Sequence, residues 1–262
     1  MINNINEIEK KGYTILKNAI DLVTINKLKD KILHIDENWK KPNAETTPRL
    51  NRESKVVYNP EQKDRIFSKI VLGNPNLKSI LIYFLNDKFY KQISSNKPNY
   101  ILRAMIARSS SSSDLPLHID SFVPNSGKRP FVMQASIIID KHDDETGTTI
   151  VIPQSHLSDE YAPQDKFNDA IPIYSEPGDI VVWDSRLWHG ALSNKSKKSR
   201  WALIATFTRW WIKQNYDITS SLPKEIYEDM SDEEKGILGF CCIPPKNEFE
   251  RIDIKAGYEV LK

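Results

Sequence analysis

Five histidines occur in the chain, His34, His118, His142, His156 and His189, and each can be weighed by its surroundings. Two of them sit in His-Ile-Asp tripeptides. His34-Ile35-Asp36 falls at the end of a predicted helix, where residues two apart diverge by about 200° around the axis and cannot easily grip one ion. His118-Ile119-Asp120 falls in a loop leading into a β region, and in extended chain residues two apart project to the same face. An imidazole and a carboxylate presented together, completed by a distant second imidazole, make the facial triad of non-haem iron(II) sites, which leaves positions open for small ligands. His189 is the candidate third ligand. Further on, Arg200 opens a predicted strand, where its guanidinium could receive a carboxylate through paired hydrogen bonds, as anchoring a dicarboxylate beside a metal requires. His156 reads as a turn-stabilising residue and His142, inside the charged run 141–145, as a solvated one.

Holding these side chains falls to strands. From about residue 100 the sequence breaks into short runs rich in Ile, Val, Thr and Trp, clearest at 101–107, 131–139, 148–152, 179–183 and 201–208. Turn signals separate them at Asn125-Ser126-Gly127, Glu145-Thr146-Gly147 and Pro177-Gly178. Many short strands with turns between them predict a sandwich or barrel. The serine run 109–113 reads as a mobile link, and Arg103 and Arg108, on the strand before it, would meet an anionic substrate if they point inward. Upstream the texture is helical after a short strand at 12–16. Leu22, Ile25, Leu28, Ile32 and Ile35 recur at helical steps, Asn59-Pro60-Glu61 predicts a helix start running to about Val71, and 76–93 reads as a third helix. Ser231 and Glu234 have the spacing of a capping box for a late helix. The sequence contains no internal repeat.

Composition sets outer limits. Hydrophobic residues make up 39% and charged residues 27% of the 262 residues, enough for a real core. Lys and Arg total 37 against 35 Asp and Glu, a balance of +2, far from the basic excess that binding a phosphate backbone demands, so nucleic acid is not an expected partner. No run approaches the roughly 18 apolar residues of a membrane span, and the N-terminus lacks an apolar leader core, so a soluble cytoplasmic protein is expected. Cys241 and Cys242 are adjacent, a spacing that rarely permits an unstrained disulfide, and read as packing residues.

Several blocks, in order, resemble the phytanoyl-CoA dioxygenase family of iron(II)/2-oxoglutarate oxygenases over most of residues 12–210. Leu115-Pro116-Leu117-His118-Ile119-Asp120 is similar to the family's Pro-Leu-His-x-Asp segment. The stretch 131–140, with Gln134 and a terminal Asp140, resembles the strand that follows. Thr146-Gly147 through Ile152-Pro153-Gln154-Ser155-His156 is similar to its Asn-Gly … Ile-Pro-Gly-Ser-His block, and Gly178-Asp179 with Trp188-His189-Gly190 resembles the strand and turn carrying its distal histidine. Ser136, Gln154 and Ala191 depart from the pattern and touch the expected shape of the co-substrate pocket, not the metal ligands.

The resemblance implies an α+β chain with a double-stranded β-helix (jelly roll) core at about 100–211, buttressing helices at about 18–95 and a C-terminal extension at 212–262, all one domain. It further implies that His118, Asp120 and His189 ligate Fe(II), that 2-oxoglutarate chelates the iron with Arg200 on its distal carboxylate, and that Gln134 and Thr149 are further contacts for the co-substrate. With O2 the expected outcome is hydroxylation of a small-molecule substrate, releasing succinate and CO2. Related halogenases have a small apolar residue in place of the carboxylate, so Asp120 argues for oxygenation. A second reading is a non-catalytic jelly-roll module that binds a metal, or a sugar through exposed aromatics such as Trp210 and Trp211.

Overall fold

The computed structural model describes residues 2–38, 55–90, 93–110, 112–196, 198–245 and 247–249. Among these residues, ten strands form two sheets. The larger holds β1 (Tyr13–Leu16), β8 (Ile180–Asp184), β5 (Val132–Ile138), β10 (Trp201–Arg209), β3 (Tyr100–Ser109) and β2 (Val56–Tyr58) in that spatial order. The smaller runs β4 (Leu115–His118), β9 (His189–Ala191), β6 (Thr149–Val151), β7 (Ile171–Ile173). Every neighbouring pair is antiparallel. From β3 onward the chain crosses repeatedly between the sheets, and β3-β10-β5-β8 faces β4-β9-β6-β7 as the eight strands of a jelly roll. β1 and β2 extend the two edges of the larger sheet.

The larger sheet is buried on both faces, and strand alternation sorts its side chains. Met105 and Ala107 of β3, Met133, Ala135 and Ile137 of β5, and Leu203, Ala205 and Phe207 of β10 join one apolar cluster. Packed into the same cluster are Leu28 and Ile32 of α2 (Leu22–Asn38), Phe67 of α3 (Arg65–Gly73), and Leu77, Ile80, Leu81 and Leu85 of α4 (Pro75–Leu85). Each such side chain contributes about 1.5–3 kcal/mol by leaving water. The alternate residues of the same strands face the space between the sheets and line a cavity.

Several local expectations shift. A helix, α1 (Ile2–Lys11), precedes β1 and was not anticipated; it buries Ile8. Asn59-Pro60-Glu61 does not open a long helix. Asn59 is left-handed (φ 50°) and makes no side-chain cap, and Pro60–Gln62 is a single 3-10 turn. The helix starts five residues later than read, where the Asp64 side chain accepts from the Ile66 amide. The third helix stops at Leu85 because Asn86 turns its side chain to the carbonyls of Ser95 and Lys97 and to the Asn99 amide. Ser109 is the buried last residue of β3, and the Ser110 amide donates to the Arg200 carbonyl, so the start of the serine run is tied down. The capping box of Ser231 and Glu234 forms at α7 (Asp232–Ile237). Short helices α5 (Ile218–Ser221) and α6 (Lys224–Glu228) precede it, and 250–262 of the extension lie outside the described residues. Cys241 and Cys242 are free thiols. Among the described residues no helix is long and apolar enough to cross a membrane.

Glu61 stands out within this frame. It is fully buried and neither carboxylate oxygen meets hydrogen-bond geometry. Burial pushes its pKa up to about 7, against the weaker opposing pull of its own amide and Lys63. The folded state therefore favours the neutral acid. The associated stability is fully present below the unfolded value of 4.5 and is lost as pH rises toward 7, about 3 kcal/mol in all. Urea denaturation across that window should show a steeper loss in the parent protein than in Glu61→Gln, the difference reaching about 3 kcal/mol; equal slopes would mean the carboxyl has a charge partner.

Candidate metal centre

The pairing of β4 with β9 sets His118 directly opposite His189. Their ring centroids are 4.2 Å apart. Such close strands need a small residue, and Gly190 supplies it: a Cβ there would lie 2.5 Å from the Leu115 carbonyl oxygen. Asp120 lies two residues beyond the end of β4. Its amide and that of Ser121 both donate to the Ser185 carbonyl at 2.9 Å, which folds the segment back toward the histidines. The carbonyl is fixed in turn by a buried ion pair, since Arg186 chelates Asp184 (2.7 Å) and its other arm donates to the Gly127 carbonyl.

Ligand atoms of His118, Asp120 and His189 all lie within 4.8 Å of one another. His189 Nε2 is 3.1 Å from Asp120 Oδ2, and His118 Nε2 is 3.7 Å from Oδ1. Two ligands about 2.1 Å from one ion at a right angle are about 3 Å apart, so these separations fit one coordination sphere. Each imidazole places Nδ1 2.9 Å from a backbone carbonyl, of Pro116 and Leu187 respectively. A carbonyl can only accept, so Nδ1 carries a proton in both rings and Nε2 is the atom turned toward the carboxylate. The nitrogen, nitrogen and oxygen donor set suits a divalent transition metal.

Gln134 donates to Asp120 Oδ2 at 2.8 Å, and its own carbonyl accepts from Thr206 at 2.8 Å, which fixes the amide's orientation. Burial opposes ionisation of Asp120, but the two histidines and Gln134 outweigh it and hold the pKa at about 2. Burial likewise opposes the charged form of His189, while Asp120 raises its proton affinity above the usual range. His118 shifts the other way, through burial and then the repulsion of His189. The cluster is a ready-made anion-and-imidazole cradle in which one cation can be satisfied.

These residues line a cavity of about 440 Å³ together with Arg200, Thr149 and Trp183. Arg200 is 8% exposed. Its Nη1 lies 3.0 Å from both ring nitrogens of His142, and its Nε has no hydrogen-bond partner. Burial and the nearby Arg108 depress its pKa to about 10, with Asp140 acting against them. A guanidinium this deep with an unused donor edge fits a carboxylate ligand. His142 is not solvated as its charged run implied. A bridge with Ser175 turns it inward, it is 2% exposed, and burial beside Arg200 keeps it neutral. Nothing in the run 141–145 marks it out, since its place depends on a bridge to Ser175, which lies outside any strand and is distant in sequence. His156 is buried with Nε2 3.3 Å from the Glu9 carbonyl, in a structural position as read. Trp210 stacks on Tyr90 at 4.4 Å and gives its indole N–H to Asp87, while Trp211 is half-exposed beside Phe131.

Residues 8–202 match the family model described as Phytanoyl-CoA dioxygenase (PhyH). The chain belongs to this family. Among curated relatives, the uncharacterized protein Rv1501 of Mycobacterium tuberculosis is 34% identical over 104 residues, 39% of this chain and 38% of that protein. The dioxygenase af480 of Aspergillus fumigatus is 28% identical over 189 residues, covering 70% of this chain and 58% of its own length. This PhyH-family chain thus spans well under two thirds of either relative. The crystal structure of the epimerase SnoN in complex with Fe3+, alpha ketoglutarate and nogalamycin RO superposes with a TM-score of 0.62 at 14% identity, over 84% of this chain and 88% of that one, a likeness of fold.

Gly190→Ala should force β9 away from β4 and pull the two imidazoles apart. The expected result is a loss of about 1–3 kcal/mol in stability together with weakened binding of cobalt(II), read by denaturation and calorimetry. Unchanged values for both would show that the strands have room to spare.

Proposed function

We propose that this PhyH-family chain is an iron(II)- and 2-oxoglutarate-dependent oxygenase that hydroxylates a small molecule in a cytoplasmic setting. His118, Asp120 and His189 hold the metal, Arg200 holds the distal carboxylate of 2-oxoglutarate, and the helical part, jelly roll and extension act as one domain. The observation that carries the reading is the pairing, in one cavity, of three convergent ligand atoms with a buried guanidinium that has an unused donor edge. A metal- or sugar-binding module has no need of that arginine, which disfavours the non-catalytic reading.

Bound together, iron(II) and 2-oxoglutarate activate O2 for attack on an unactivated C–H bond, with release of succinate and CO2. An iron(II) held by these three ligands would keep further coordination positions for small ligands. The chain's own residues do the positioning. Leu187 and Pro116 carbonyls lock the imidazole tautomers, Gln134 and Thr206 orient the Asp120 carboxylate, and His142 accepts from Arg200 to aim its fork. Gln134 thus positions the metal ligand while also lining the cavity as a contact for the co-substrate, and Thr149, on the cavity wall, is a further donor to it. Trp183, Ala202 and Ile204 give the same wall apolar surface that keeps water from the reacting centre.

His118→Ala and Asp120→Ala should abolish succinate formation, and a variant turning over 2-oxoglutarate at the parent rate would remove the metal assignment. Arg200→Gln should keep its metal while 2-oxoglutarate binding weakens by about 2–5 kcal/mol, as for truncating one partner of a buried charge pair. Gln134→Leu should weaken metal binding about 10- to 100-fold, measured by anaerobic titration, with an unchanged constant assigning the amide elsewhere. Incubation with metabolite pools should yield a product one oxygen atom heavier than its precursor; a product of unchanged oxygen content would overturn hydroxylation and leave the oxygenase class to the succinate assay.

A further inference from the structure

A second arginine near the metal ligands has no role in this scheme. Where β10 pairs with β3, Thr206 lies opposite Ala104 and Phe207 opposite Leu102, so Arg103 is an extra residue facing no partner. Leu102 belongs to the helix-facing core, whereas Ala104 lines the cavity. The bulge breaks strand alternation and sends the Arg103 side chain toward the segment after the metal ligands, where it meets Phe122 and the field of Asp120, the known use of a bulge to re-aim a side chain beside a site. Its guanidinium carbon sits 4.1 Å from the centroid of the Phe122 ring, two residues past Asp120.

Arg103 is 7% exposed, and among the described residues its guanidinium makes no ion pair or side-chain hydrogen bond beyond the stacking on Phe122, with Nε buried and unsatisfied. A buried cation without hydrogen bonds is costly and is normally compensated by an anion. Asp120 is the carboxylate whose field it feels, yet Asp120 is committed to His189 and Gln134. In the metal-bound state that charge is shared further. Phe122 is well exposed, so an apolar ring lies against the charge, and the Tyr161 hydroxyl donates to the Phe122 carbonyl.

Resting on the oxygenase reading, we propose that Arg103 is the specificity residue for the primary substrate and receives a carboxylate from it, the substrate being a small organic acid with an apolar body. A single planar fork matches a monoanionic carboxylate through two parallel bonds, and a phosphate dianion would call for more donors.

The test uses anaerobic protein loaded with cobalt(II) and saturating 2-oxoglutarate, so that Arg200 is already engaged. Metal and co-substrate are titrated first, and their failure to bind would sink the oxygenase reading by itself. Calorimetry then follows 3-phenylpropionate, 3-phenylpropanamide and phenyl phosphate, with and without the metal and co-substrate. The parent should prefer the carboxylate over the amide by about tenfold or more, as hydrogen bonds to a charged group imply. In Arg103→Gln the preference should vanish while 2-oxoglutarate affinity stays at the parent value, and Arg103→Lys should keep part of it. Because Arg103 is buried and its variants could fold poorly, a crystal of the parent soaked in 3-phenylpropionate provides a second reading, with the carboxylate expected on the Arg103 fork. Equal affinity for acid and amide in the parent, tighter binding of phenyl phosphate, a carboxylate seated elsewhere, or an Arg103→Gln variant that loses 2-oxoglutarate instead would each overturn the proposal.

Discussion

The antiparallel contact between β4 and β9 is the constraint on which the site rests. Both strands are very short, yet their register decides whether two imidazoles meet. A slip of one residue would turn His118 to the opposite face of the sheet. Gly190 lets the backbones approach, and the Ser185 carbonyl returns the chain so that Asp120 arrives on the same side. That carbonyl is held by a turn whose rigidity comes from Asp184 and Arg186, buried charges that satisfy each other and the Gly127 carbonyl. The cluster of His118, Asp120 and His189 is therefore anchored from both sheets, β8 and its turn from one and β4 with β9 from the other.

Electrostatics inside the cavity follow from the same crowding. One ionised carboxylate lies between two imidazoles, Arg200 and Arg108 line the same cavity, and Arg103 is buried outside that lining against Phe122. Water could not satisfy such groups so cheaply as anionic ligands can. The interior is arranged for negatively charged guests, and the neutral His142 avoids adding a third positive charge beside Arg200.

Much of this was legible in the chain. Strands β3, β5, β8 and β10 are long enough for β-branched runs to show, and each was placed within a residue or two of its observed ends. The pair His118 and Asp120, the distal His189 and Arg200 were singled out by residue type and spacing, and the structure brings all four to one cavity. Strands β2, β4, β7 and β9 escaped notice because they are short and lack a β-branched run extending past their ends, as the run 148–152 does for β6; they exist only through partners distant in sequence. The same non-local cause hid the inward turn of His142. Helix ends were misjudged at Asn59, whose left-handed backbone leads only into a 3-10 turn, and at Asn86, whose side chain serves loop geometry instead of continuing a helix. Gln134 was picked out correctly as a polar residue in an apolar strand, but its partner proved to be a carboxylate on another element.

Strand alternation in the larger sheet has a consequence for how such a protein can diversify. Odd-numbered positions of β5 and β10 hold the helices, and even-numbered ones face the ligand space. Inner positions such as Ser136, Ala202 and Ile204 can therefore change size or polarity with little disturbance to the packing that sustains the scaffold. Selection for new chemistry and selection for foldedness act on interleaved but separate sets of letters, which lets a single architecture explore many guests without first becoming unstable.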